Sequence, residues 1–136
     1  LCLLGFVAHT LLVVAIGIGG PRVSAVLAGK AGPNAFPADQ PHGSERYRRT
    51  MRAHANCVEN LPVFAAVVLT GAVAGASSGS LDVLAMVYLG ARVCQTIAHV
   101  ASGRGLVVNV RFTFFVAQLV CVVWMGILVA LHLTRG

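Results

Sequence analysis

The chain has 136 residues, 57% hydrophobic and 10% charged, with a mean hydropathy of +0.84 and a formal net charge of +6. A soluble domain is nearer a quarter charged, and a chain this short must cover a large surface with polar groups. This one lacks them, which excludes an ordinary soluble globular protein and makes lipid the natural solvent.

The ten Lys and Arg outnumber the four Asp and Glu, but they are not spread over a polar surface, which argues against nucleic acid as a partner. Arg22, Lys30, Arg46, Arg48, Arg49 and Arg52 fall together between apolar segments. They read as the positive-inside signal of a cytoplasmic loop and, compatibly, as an anion-binding surface.

A helix that crosses a membrane needs about 20 mostly apolar residues. The first such run begins at Leu1, is interrupted by His9 and Thr10, and predicts a helix over 1–27. It lacks a basic start and is long for a signal peptide ending at Val23-Ser24-Ala25. Residues 29–43, rich in Gly and Pro, form a loop. The second helix is expected over 44–76, weakened at Pro62. A turn at 77–80 offers Ser80 as the N-cap of a third helix over 81–101, with Asp82 in its first turn. A short turn carrying Arg104 leads to the fourth helix, over 107–134. The expectation is an all-α integral membrane four-helix bundle forming one domain over 1–136. Basic first and third connections place both termini outside the cytoplasm, opposed weakly by Arg135. Cys2, Cys57, Cys94 and Cys121 show no metal-ligand spacing and read as small packing residues.

Ionisable residues at membrane depth are costly and usually face a bundle interior or a cavity. On the second helix Glu45, Arg49, Arg52, Asn56 and Glu59 share one stripe, with Glu45–Arg49 and Arg52–Glu59 able to neutralise each other. Two readings stand: an ion-pair network that ties helices together, or one wall of a polar site. The third helix carries Tyr88, Arg92, Gln95 and His99 on one face, and the fourth carries Arg111 and Gln118. Arg111 reads either as a site residue or as a side chain snorkelling to the interface. Packed together, these stripes make a basic, hydrogen-bonding pocket in an apolar wall, suited to an amphipathic anion or to a polar anionic cofactor beside an apolar substrate. No metal site is expected.

The run Arg52-Ala53-His54, Asn56, Glu59, Pro62 and Phe64 resembles the MAPEG family, the membrane-associated proteins in eicosanoid and glutathione metabolism. ARVCQTIAH at 91–99 and NVRFTFFVAQ at 109–118 add weaker matches. The resemblance implies a homotrimer of four-helix bundles that binds glutathione as cosubstrate between subunits, facing the cytoplasm. By position, Arg52, Asn56 and Glu59 would hold glutathione, Arg92 and Gln95 would line the same site, and Arg22 would be a further contact. Arg111 would stabilise the thiolate. The hydrophobic second substrate would arrive from the lipid bilayer. This chain carries His99 where family enzymes commonly have Tyr, and Ala55 where some members have a basic residue. The expected function is a glutathione-dependent transferase or peroxidase for hydrophobic electrophiles. The alternative is a non-catalytic lipid-binding or scaffold subunit. A small transporter is disfavoured, because no acidic residue lies deep in the bundle.

Overall fold

The computed structural model describes residues 1–32, 34–37, 40 and 42–135. Its elements are α1 (Cys2–Leu12), a π-helical segment (Val13–Gly19), α2 (Gly20–Leu27), α3 (Glu45–Val73), α4 (Gly79–Ala101) and α5 (Gly105–Arg135). The first three run on as a single rod, so four helices are long and apolar enough to cross a membrane. The shortest, α4, has 23 residues, about 35 Å at 1.5 Å per residue, against a hydrocarbon core of about 30 Å. α4 lies along α5, and α3 touches all the other rods. This is the all-α membrane bundle anticipated from composition.

The first rod is not the uniform helix its hydropathy suggests. Pro21 has no N–H to offer the carbonyl of Gly17, and its ring crowds the preceding turn. The ladder widens just upstream, where Gly20 N–H reaches back to the carbonyl of Ala15. Gly17 sits in this segment directly against the side chain of Thr50, where a Cβ would collide with the threonine methyl. Its lack of a side chain lets the rod approach α3.

The other helix ends follow from capping. Ser44 is extended and its hydroxyl accepts from Tyr47 N–H at 3.2 Å, which starts α3 with Glu45 in the first turn. Gly75, at φ 69°, stops α3: Ala76 N–H closes back onto the Gly71 carbonyl and Gly75 N–H onto that of Ala72. The N-cap of α4 is Ser78, not Ser80. Ser78 is extended and its Oγ accepts from Leu81 N–H at 3.3 Å, while Ser80 already lies inside the helix. Asp82 does sit in the first turn.

The core is narrow and centres on Phe6, Phe64 and Tyr88, with Cys57, Cys121, Val122 and Met125 around them. Phe64 and Tyr88 stack at 4.2 Å, and Phe6 tilts against both at 5.9 Å. Such pairs contribute roughly 0.5–1.5 kcal/mol beyond their buried area. Cys57 and Cys121 fit the packing role read from sequence, whereas Cys94 is exposed. Outward faces carry Leu11, Val63, Met86, Phe112, Val120 and Ile127, the inside-out surface that lipid solvates.

Candidate functional site

Polar side chains from α3, α4 and α5 meet in two tiers. The deep tier is built on Arg92, which is 1% exposed. Its Nη1 donates to Asn56 Oδ1 of α3 and, at 3.0 Å, to Gln95 Oε1 one turn along α4. Gln95 Oε1 also accepts from Gln118 Nε2 of α5 at 3.1 Å. Gln95 Nε2 donates to the Arg111 carbonyl at 3.3 Å, and Gln118 Nε2 to the Phe114 carbonyl at 2.8 Å. The helical period explains the convergence: Arg92 and Gln95 are three apart, so both face the bundle interior.

Among the described residues this guanidinium has no carboxylate partner. Among the described residues the salt bridge is Arg49–Glu45, at 3.5 Å. Arg92 Nε and Nη2 and Gln118 Oε1 are buried without a hydrogen-bond partner. The Phe6 ring lies 5.4 Å from the guanidinium carbon and supplies part of the missing stabilisation. Arginine is the cation suited to such a place, because it stays protonated when desolvated.

The outer tier lies toward the basic end. Arg49 and Arg52 lie in the first turns of α3, His99 in the last turn of α4 and Arg111 in the first turns of α5. Arg49 Nε donates to the Val100 carbonyl at 3.2 Å, tying α3 to the end of α4. Arg52 is exposed, and Arg111 and His99 are half-buried. Glu45 is bonded to Arg49, and its side chain is 80% exposed. The Gln95–Arg111 hydrogen bond couples the two tiers.

The structure therefore brings Asn56, Arg92 and Gln95 into contact and joins the Arg111 backbone to them through Gln95. Glu59 is exposed and stands outside this network. It forms no pair with Arg52, because the two residues are seven apart, about 10.5 Å along the axis. That corrects the second ion pair read from the stripe. Arg22 is elsewhere: its Nε donates to the Tyr47 hydroxyl, and its guanidinium lies 5.3 Å from the Phe36 ring centre. Gln118, seen in the sequence only as a partner of Arg111 on one face, is a full member of the deep tier. His9 and Thr96, 87 positions apart, form a pair that helical period does not bring together. His9 Nε2 and Thr96 Oγ1 are 3.0 Å apart, and Cys57 Sγ is 3.8 Å from the same hydroxyl. The only sequence signal was His9 interrupting an apolar run.

A donor set of fixed cations and amides, with few acids, suits a ligand that carries carboxylates or a thiolate. Among known proteins, a family model described as the MAPEG family matches residues 1–131. No curated protein matches the chain.

Proposed function

The chain belongs to the MAPEG family, and from that premise we propose that it is a membrane-embedded glutathione-dependent transferase or peroxidase that acts on hydrophobic electrophiles through an arginine-stabilised thiolate. The observation that carries the reading is the buried hydrogen-bonded layer of Asn56, Arg92, Gln95 and Gln118, tied to the backbone of Arg111 at the arginine-rich end of the helices. Arg52, Asn56 and Glu59 bind the carboxylates, amides and ammonium of glutathione. Arg92 and Gln95 are too buried to be its main contacts in one chain; they hold Asn56 and the Arg111 backbone in place. Arg22 joins from the rim, and His99 stands beside the sulfur position with Arg111.

The chemistry follows from charge. A free thiol has a pKa near 8.5, so only about 3% is ionised at pH 7. A guanidinium at the sulfur favours the anion. A shift of about two units needs roughly 2.7 kcal/mol of differential stabilisation and makes most of the thiol reactive. The thiol proton leaves to solvent. The sulfur then donates an electron pair to the electrophilic carbon, and the displaced group departs with its bonding pair.

The exposed charges support a homotrimer with the site between subunits. Glu59 lies fourteen residues beyond Glu45, about 21 Å along α3, on the outer surface of the chain. A central charge facing lipid costs roughly 2.5–3.5 kcal/mol. A neighbouring copy over this face removes Glu59 and Arg52 from lipid and closes the site. The positive-inside rule orients the site to the cytoplasm and both termini away from it.

His99 and Ala55, at positions where family enzymes often differ, favour a second reading, a non-catalytic lipid-binding or scaffold subunit. Ultraviolet thiolate absorbance on adding glutathione to detergent-purified protein separates the two. A rise that disappears in Arg111→Ala supports the enzyme. No rise from folded protein moves the assignment to the scaffold.

A further inference from the structure

On the opposite side of α3 from the two tiers, the first rod and the start of α3 enclose a groove of about 510 Å³. Its wall is Leu12, Val13, Ile16, Gly17 and Pro21, and Val100 closes one side. His9 lies at its inner end, held by Thr96. Ser44, Arg46 and Tyr47 stand at its mouth. The widened π-helical turn sets this wall, and such turns recur at functional sites.

We propose that this groove holds one acyl chain of a resident anionic phospholipid, drawn from the leaflet at the basic end, with its phosphate at Arg46. Three observations fit this occupant. From Pro21 back to His9 the groove runs roughly 18 Å at helical rise, close to half of the roughly 30 Å hydrocarbon core. A lipid seated there has its headgroup at the interface and its tail near the midplane. The volume is that of an ordinary ligand site, about 300–1,000 Å³, with walls that are apolar apart from Thr50 and with the other polar groups at the two ends. The mouth is positive: Arg46 lines it, Arg22 is bonded to the mouth residue Tyr47, and Arg49 is bonded to the wall residue Val100. Among the described residues the acid paired with these arginines is Glu45, bonded to Arg49. A basic pocket between helices at this depth selects a phosphate without a compensating choline.

Arg22 and Arg49 border both this groove and the site proposed for glutathione, but the test below reads lipid uptake alone and its outcome does not depend on glutathione binding. The test is native mass spectrometry of delipidated protein in detergent, titrated with dioleoyl-phosphatidylglycerol or dioleoyl-phosphatidylcholine. The expected result is one phosphatidylglycerol per chain, bound in preference to phosphatidylcholine. Arg46→Gln should weaken phosphatidylglycerol about fivefold, as one surface arginine contributes roughly 1 kcal/mol toward an anionic lipid. Ile16→Trp, which fills the groove, should abolish binding, while Val120→Trp on the outer face of α5 should not. Arg46 is exposed, so its variant folds even if the tryptophan does not. Equal uptake of both lipids, or phosphatidylglycerol binding unchanged in Arg46→Gln, overturns the proposal. So does displacement of phosphatidylglycerol by equimolar oleate, which would make the occupant a free fatty acid. Disulfide cross-linking of Ile16→Cys between chains in the lipid-free protein and in bilayers alike would make it a second copy.

Discussion

Substituting Arg92 should cost less stability than substituting its neutral partner. Asn56→Ala removes the Oδ1 acceptor from Arg92 Nη1, leaving Gln95 Oε1 as the only acceptor of a guanidinium that is 1% exposed and already has Nε and Nη2 unpartnered. A hydrogen bond to a charged group contributes about 1.5–3 kcal/mol, and this charge cannot reach water to compensate. Arg92→Met removes the buried charge itself while filling similar space. Gln95 Oε1 keeps its bond from Gln118, so only half-buried Asn56 Oδ1 loses a partner, at about 1 kcal/mol. Loss of the Phe6 contact, roughly 0.5–2 kcal/mol, is offset by the desolvation penalty no longer incurred, since apolar replacements of buried ions are often neutral. The expectation is a loss of about 2–3 kcal/mol for Asn56→Ala and about 1 kcal/mol or less for Arg92→Met. The double variant should resemble Arg92→Met, so the coupling equals the loss from Asn56→Ala alone, about 2–3 kcal/mol. Unfolding in mixed micelles by SDS titration, followed by circular dichroism, measures all three. Arg92→Met more damaging than Asn56→Ala, with additive losses, would refute this account of the deep tier.

Other expectations concern separate parts of the molecule. Arg111→Ala should lower glutathione turnover about a hundredfold, the equivalent of roughly 2.7 kcal/mol, with binding by calorimetry changed only a few-fold. Arg52→Ala should instead weaken binding, and full activity in both variants would sink the proposed chemistry. Gly17→Ala should destabilise the junction of the first rod with α3 by about 1–3 kcal/mol through overpacking against Thr50; Thr50→Ser, which deletes the colliding methyl, should recover most of it. Ser78→Ala should cost about 1 kcal/mol in the same unfolding assay and Ser80→Ala almost nothing, because only Ser78 caps α4.

The membrane class and the number of spans were legible because they depend on one-dimensional quantities, the length of apolar runs and the scarcity of charge. The stripe Arg92, Gln95 and His99 was legible because helical period alone puts those residues on one face. Ser78 over Ser80 was not, since both serines satisfy the capping preference and backbone geometry chooses between them. The π-helical turn has its cause in Pro21, whereas the packing of Thr50 of α3 against Gly17 within it is a contact between distant segments that no local pattern names.

Composition and spacing are enough to require an all-helical chain in lipid with arginines gathered at one end, because solvation energy depends on them alone. Which polar groups meet follows only from how the helices pack. Residues 36 positions apart, Asn56 and Arg92, touch, while Arg52 and Glu59 of one stripe do not. The burial of Arg92 without a carboxylate could not be read in advance either. A hydrogen bond acts over about 3 Å, so its partners are set by how three helices pack, and no periodicity along one of them contains that distance.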